Sequence, residues 1–120
     1  MGRRRYYLGT WVILAVVIAF FVWRMKPTKG VKTISAAQLK NILNDKDKVF
    51  IDVRTPAEYK GRNILQFKNI PLGSSFDKLP RDKEIVVICQ SGMRSSQACK
   101  RLKKQGFERV TNVRGGMSAY

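Results

Sequence analysis

The chain has 120 residues, a formal net charge of +16, two cysteines and no histidine. Two cysteines are too few for a disulfide framework, and without histidine they cannot complete the four nitrogen or sulfur ligands of a usual zinc site. The absence of histidine also excludes a Ser-His-Asp triad and a Cys-His pair. The composition therefore predicts neither a metal nor a cofactor.

The first element in the chain is an apolar run. Residues 6–23, YYLGTWVILAVVIAFFVW, carry no charge over the ~18 or more residues that mark a membrane-spanning helix. Arginines precede this run, lysines and an arginine follow it, and aromatic residues stand near both of its ends. A cleavable signal peptide is the less favoured alternative, because its apolar part would span only ~7–15 residues before a small-x-small cleavage site. We predict a basic flank (1–5), a transmembrane helix (6–23) and a linker (24–32).

Charge also bears on location and partners. Basic residues after the run (Arg24, Lys26, Lys29, Lys32) slightly outnumber those before it, which predicts a single-pass protein of the cell membrane with a cytoplasmic domain. Residues 31–120 carry 18 basic and 8 acidic residues, so this domain should lie near anionic lipid and attract small anions. The basic stripe at 99–104 lacks a nucleic-acid motif or interleaved aromatics, and no nucleic-acid partner is expected.

The remaining chain alternates helices and strands. The segment 35–45 predicts a helix in which Ser35 and Gln38 form a capping box. A buried strand is predicted at 49–53, followed at once by a helix with Thr55 as cap, Pro56 first and Glu58 in the capping-box position. Residues 69–72 predict a brief extended segment, and 73–80 a turn or short helix.

The second half continues the alternation. Residues 84–89 predict the strongest strand, followed by a helix over about 95–105 that ends at Gly106. A last strand is predicted at 109–113, and 114–120 predict a final turn or helix. This pattern indicates one α/β domain, 33–120, with a mainly parallel sheet flanked by helices. Ligands of such sheets lie at the carboxyl ends of the strands, where 52–54 and 89–94 fall.

One of these ends carries a cysteine, Cys89. Its thiolate is the reactive form, and stabilising that form requires donors and positive charge rather than a histidine. A loop that opens a helix can supply backbone amides, and Gly92 can take the positive φ that such a loop needs. Arg94 would add a positive charge, while Ser91 and Ser95 would add hydroxyls. The alternative is that Cys89 is a small buried hydrophobic residue.

Several segments, in this order, are similar to those of one family. The loop CQSGMRS resembles the active-site loop of rhodanese-like domains, and the resemblance extends over nearly all of 33–120. The other matching segments are IDVRTPAEY (51–59), NIPL (69–72), VVIC (86–89), GF (106–107) and VRGGMSAY (113–120). The resemblance implies a small α/β sulfurtransferase.

The resemblance also implies a role for each site residue. Cys89 would take a sulfane sulfur from a thiosulfate-like anionic donor as a persulfide, and pass it to a thiol, cyanide or protein acceptor. The donor would be bound by the loop and helix start, namely Gln90, Ser91, Gly92, Met93, Arg94 and Ser95. Asp52 would support the site through an ion pair or hydrogen bonds, or else act as a turn carboxylate. Arg54 would brace the loop or be a solvated charge.

Two other functions remain as alternatives. The domain could be a non-catalytic module that binds an anion or a partner protein. It could also be a phosphatase or arsenate reductase, which is less favoured because four residues separate Cys89 from Arg94, where the phosphatase-type loop has five. The second cysteine, Cys99, is interpreted as a core residue rather than a resolving thiol.

Overall fold

The computed structural model describes the backbone of residues 2–25 and 30–120, and the side chains of residues 9–21 and 30–120. The chain forms a parallel sheet with helices on both faces, as the alternation of apolar strands and helices predicts. The helices are α1 (Gly2–Met25), α2 (Ala36–Ile42), α3 (Pro56–Gly61), α4 (Met93–Lys104) and α5 (Gly116–Ala119). The strands are β1 (Val31–Ile34), β2 (Lys48–Asp52), β3 (Lys68–Asn69), β4 (Glu84–Ile88) and β5 (Val110–Val113).

The five strands lie in the order β1-β5-β4-β2-β3, and every pair is parallel. The two central strands that precede the predicted site are neighbours: β2 and β4 pair from Lys48 with Glu84 to Asp52 with Ile88. Because parallel strands end at the same edge, the chain that follows Asp52 and the chain that follows Ile88 emerge side by side. The sheet thus brings the two predicted parts of the site together.

Side chains of the central strand β4 alternate between two cores. Ile85 and Val87 face the core that contains α4, together with Ala98 and Leu102. Val86 and Ile88 face the other core. Burial on both faces explains why β4 reads as a continuous apolar run rather than an alternating one.

Both predicted capping boxes are confirmed. At α2, the Ser35 hydroxyl accepts from the Gln38 amide at 3.1 Å, and the Gln38 side chain accepts from the Ser35 amide at 2.8 Å. At α3, the Thr55 hydroxyl accepts from the Glu58 amide at 3.3 Å, and the Glu58 carboxylate accepts from the Thr55 amide at 3.1 Å. These bonds satisfy amides that a helix start leaves without partners, and they fix where α3 begins beside the site.

Some boundaries differ from the prediction. Strand β1 was not predicted, and it begins at Val31, within the segment 24–32 assigned to the linker. Its four residues, two of them polar, form too short a segment to give a periodic signal, and pairing with β5 stabilises the strand. The brief extended segment predicted at 69–72 is a strand only over Lys68–Asn69. Residues 73–80 form turns, one of the two forms predicted for them. Helix α4 starts at Met93 rather than near 95.

The transmembrane helix predicted at 6–23 is not established. Helix α1 covers this segment. Among the described residues, no helix is both long enough and apolar enough to cross a membrane. The side chains of 6–8 and 22–23, of the flank 1–5 and of the linker up to 29 lie outside the described residues, as does the backbone of 26–29.

Candidate active site

The predicted site is a tight loop between β4 and α4. Cys89 follows the last residue of β4 and has no exposed surface. The chain then turns at Gly92, whose φ of +103° lies in the left-handed region that favours glycine, and α4 begins at the next residue. The loop therefore places the cysteine directly beneath the start of a helix.

Neutral hydrogen-bonding groups contact the Cys89 sulfur. The Gly92 amide donates to Sγ at 2.9 Å. The Ser95 hydroxyl lies 3.3 Å from Sγ and 3.1 Å from the carbonyl oxygen of Gly92, and Ser95 is itself fully buried. Both contacts come from the first turn of α4 and the residue that caps it, so the helix start aims its donors at the sulfur.

These contacts distinguish the two cysteines. Burial raises the pKa of the Cys89 thiol, but hydrogen bonds from the Ser95 hydroxyl and from the amides of Ser95, Gly92 and Ser91 outweigh it, and the pKa lies below its ordinary value. Burial raises the pKa of Cys99 to about 12, because that side chain lies in the core behind α4. Cys89 is thus the thiol suited to ionise, and the core interpretation of Cys99 agrees with its position.

Arg94 has an acidic partner that the sequence did not indicate. Its Nη1 and Nη2 donate to Oε1 and Oε2 of Glu58 at 2.7 and 2.9 Å. The Arg94 guanidinium is the main cause that lowers the pKa of Glu58 to about 2. The sequence predicts that Arg94 offers its positive charge to a donor anion. Because Glu58 already binds both terminal nitrogens of this guanidinium, any contact of Arg94 with a donor anion must take Glu58 into account.

Asp52 and Arg54 form a second, deeply buried pair. The Asp52 carboxylate accepts from Nη2 of Arg54 at 2.9 Å and from Nε at 3.1 Å, and Arg54 is only 2% exposed. The remaining nitrogen of Arg54, Nη1, donates to the Gln90 side chain at 3.3 Å. Asp52 thus forms the ion pair, and its carboxylate also accepts from the Arg54 amide at 3.0 Å, as a turn carboxylate does. Arg54 braces the loop rather than lying in solvent.

Helix α5 supports the loop from the other side, which the sequence did not predict. The amide of Met117 donates to the Cys89 carbonyl at 2.8 Å, and the amide of Ser118 donates to the Gln90 carbonyl at 3.0 Å. A Cβ atom on Gly116 would lie 2.2 Å from the Cys89 carbonyl oxygen, so this approach needs a glycine. The paired glycines of RGGMSAY were the available signal.

The structure thus brings most predicted site residues together, around a single sulfur atom. Ser91 and Met93 have exposed side chains at the rim of the loop, and Ser91 contributes through its backbone amide, which helps to lower the pKa of the Cys89 thiol. Within the described part of the chain, no three metal-binding side chains cluster. The arrangement can hold an anionic sulfur by amide and hydroxyl donors at a side chain that has no exposed surface.

Comparison with known proteins gives matches over the same region. The sequence profile of the rhodanese-like domain matches residues 35–120. A sulfurtransferase of Allochromatium vinosum is 37% identical over 94 residues, which cover 75% of this chain and 88% of that protein. The putative sulfurtransferase YtwF of Bacillus subtilis is 45% identical over 94 residues, covering 75% and 90%. A crystal structure of a rhodanese-like domain protein from Staphylococcus aureus superposes with a TM-score of 0.65 at 34% identity, covering 73% and 89%.

Proposed function

Because the chain belongs to the rhodanese-like domain family, we propose that it is a sulfurtransferase that carries sulfane sulfur on Cys89. One observation carries the proposal: the Cys89 sulfur lies within reach of the Gly92 amide and the Ser95 hydroxyl at the start of α4. These donors favour an anionic sulfur and need no general base. The relatives named as sulfurtransferases support the same chemistry.

The reaction would proceed in two displacements. In the first, the Cys89 thiolate attacks the outer sulfur of the donor, the sulfur–sulfur bond of the donor breaks, and its electron pair leaves with sulfite or a thiolate. In the second, a thiol or cyanide, or a protein acceptor, attacks the outer sulfur of the Cys89 persulfide and restores the thiolate. Each step exchanges one bond to sulfur for another, so no external oxidant or reductant is consumed.

The persulfide can be tested directly by mass. We expect the full chain, purified in a nonionic detergent and treated with thiosulfate or an organic persulfide, to gain about 32 Da, one sulfur atom, removable by cyanide. Cys99→Ser should gain the same mass, and Cys89→Ser should gain none. A gain in Cys89→Ser equal to that of the unchanged chain would contradict the proposal.

Turnover distinguishes the enzyme from a binding module or a phosphatase. With a sulfur donor and cyanide, thiocyanate should form at a rate that falls to background in Cys89→Ser. Binding of donor anions without thiocyanate formation would favour the non-catalytic module. Hydrolysis of a phosphate ester, or reduction of arsenate, by a protein inert to sulfur donors would favour the phosphatase or reductase.

We also propose that residues 6–23 anchor the domain in the cell membrane, with the domain on the cytoplasmic side. The proposal rests on the charge-free run and its basic flanks. The exposure of the apolar side chains between Trp11 and Phe21 supports it. Resistance to alkaline carbonate extraction, and cleavage of a carboxyl-terminal tag by protease in inverted vesicles but not in spheroplasts, would be expected. Extraction of the full chain by carbonate would contradict the anchor.

A tether at this position would leave the site accessible. The chain enters the sheet at Val31, at the amino ends of the strands, where Lys103 of the last turn of α4 lies against Gly30. Cys89 lies beyond the carboxyl end of β4, at the opposite edge. An anchored domain would therefore turn the basic end of α4 toward the lipid and the Cys89 loop toward the cytosol.

A further inference from the structure

The two guanidinium groups near Cys89 are both neutralised. Arg54 is paired with Asp52 in the interior, and Arg94 is paired with Glu58 through both of its terminal nitrogens. In each pair one positive charge meets one negative charge. The charges on these four side chains sum to zero. The contacts to the sulfur come from neutral groups, the Gly92 amide and the Ser95 hydroxyl among them.

Glu58 is also held in place from its own helix. Its Oε1 accepts from the Thr55 amide at 3.1 Å and from the Thr55 hydroxyl at 3.0 Å, in addition to Arg94. These bonds form the capping box of α3, so they keep the carboxylate at this position even if Arg94 turns away. An anion that draws Arg94 toward Cys89 would leave the Glu58 carboxylate charged and nearby.

This arrangement has different consequences for different sulfur donors. Thiosulfate is a dianion whose sulfonate oxygens require positive charge or several donors, and it would compete with Glu58 for Arg94. The persulfide group of an organic persulfide carries at most one charge, located on the sulfur atom to be transferred. The amide and hydroxyl groups around Cys89 can donate hydrogen bonds to that sulfur without separating Arg94 from Glu58.

We propose that Glu58 is a specificity-determining residue, which by neutralising Arg94 makes the site prefer organic persulfides to thiosulfate as sulfur donors. The inference rests on the proposed sulfurtransferase function. The Cys89 thiolate attacks the outer sulfur of R–S–SH, the R–S bond to that sulfur breaks with its electron pair leaving as RS⁻, and the proton stays on the transferred sulfur or passes to water.

The test measures how fast Cys89 is loaded by each donor. The full chain in nonionic detergent is mixed with thiosulfate or with the persulfide of N-acetylcysteine methyl ester, which is charged only at its persulfide, and persulfide formation is followed by quenched-flow intact mass. Each rate is divided by the rate of the same donor with free cysteine. We expect the unchanged chain to favour the persulfide by about ten-fold or more, the scale of one charge interaction.

Glu58→Gln removes the charge but keeps a side chain that suits the capping box. It should raise the loading rate with thiosulfate by about ten-fold, while the rate with the persulfide changes by less than about three-fold. Glu108→Gln, an equal charge change at an exposed residue at the other edge of the sheet, should alter neither rate. Adding Arg94→Gln to Glu58→Gln should abolish the gain with thiosulfate.

The outcomes separate this inference from the function on which it rests. A normalised preference of the unchanged chain for thiosulfate would overturn the inference, whether or not the Glu58 variant folds. An equal effect of Glu58→Gln on both donors, or a slower reaction with thiosulfate, would also overturn it while leaving the sulfurtransferase in place. Failure of the unchanged chain to load from either donor would overturn both.

Discussion

The hydroxyl oxygen of Ser95 lies 3.3 Å from the sulfur of Cys89, and neither side chain has exposed surface. While Cys89 is a thiol, it donates to Ser95, and Ser95 donates in turn to the Gly92 carbonyl at 3.1 Å. When Cys89 ionises, rotation of the hydroxyl turns Ser95 into a donor to the thiolate. Ser95 therefore stabilises the charged sulfur and leaves no buried hydrogen unbonded in the neutral state.

Ser95→Ala should make the thiolate harder to form. A hydrogen bond to a charged group contributes about 1.5–3 kcal/mol, so alkylation of Cys89 by iodoacetamide at neutral pH should slow by about ten-fold or more. Its pH profile should move to higher pH. Ser96→Ala, the same change one residue along α4, is the control and should leave the profile in place. An unchanged profile in Ser95→Ala would show that Ser95 does not stabilise the thiolate.

The two cysteines should differ in reactivity in the native protein. Donors lower the pKa of Cys89 below its ordinary value of 9.0, so the thiolate fraction, and with it the alkylation rate, should reach half its plateau below pH 9.0. Burial raises the pKa of Cys99 to about 12, and Cys99 should react only after unfolding. The native protein is labelled with one reagent, and after unfolding it is labelled with an isotopic form of the same reagent. Peptide mapping then measures the alkylation of each cysteine before and after unfolding. Labelling of native Cys99 as fast as Cys89 would refute this difference.

Gly116→Ala should disturb the Cys89 loop through helix α5, which contacts it. The new Cβ would lie 2.2 Å from the Cys89 carbonyl oxygen, and the φ of +57° at this position strains any other residue. We expect a loss of about 1–3 kcal/mol in the free energy of unfolding and slower alkylation of Cys89. Gly73→Ala is the matched control, because a Cβ there meets no atom within 4 Å. Urea unfolding in detergent measures the first effect, and equal stability of the two variants would contradict the close approach.

Asp52→Asn should destabilise the domain because it leaves the Arg54 guanidinium buried without its counter-charge. Removing one partner of a buried ion pair costs about 3–5 kcal/mol. Asp47→Asn, just before the other end of β2, removes an exposed partner of Lys48 and should have little effect. Comparison of the urea midpoints of the two variants checks this, and similar midpoints would mean that the Asp52 pair contributes little to stability.

Local patterns in the sequence were sufficient to predict most of the helices and strands of the fold. The capping residues of α2 and α3, the apolar run of β4 and Gly106 each act within a few residues, and each led to a helix or strand that the structure contains. The loop around Cys89 was predicted for the same reason. Strand β1 was not, because four residues of mixed polarity become a strand only through β5.

Local sequence patterns could not predict which groups bond to one another within the site. Glu58 was identified as a capping residue, but its bonds to Arg94 join positions 36 residues apart. The bond from Ser118 to the Gln90 carbonyl spans 28 residues. Such contacts depend on which strands are neighbours in the sheet, and the alternation of helices and strands leaves that order open.

If Cys89 carries a sulfur as proposed, the placement of Cys99 restricts how that sulfur can leave. The sequence holds no third cysteine, and Cys99 lies in the core, so an internal disulfide would not release the sulfur from such a persulfide. The transferred sulfur would then stay on Cys89 until an acceptor molecule reaches the loop. Such a protein would follow double-displacement kinetics, with parallel reciprocal plots for donor and acceptor, and the lifetime of the loaded form would report the supply of acceptor around it.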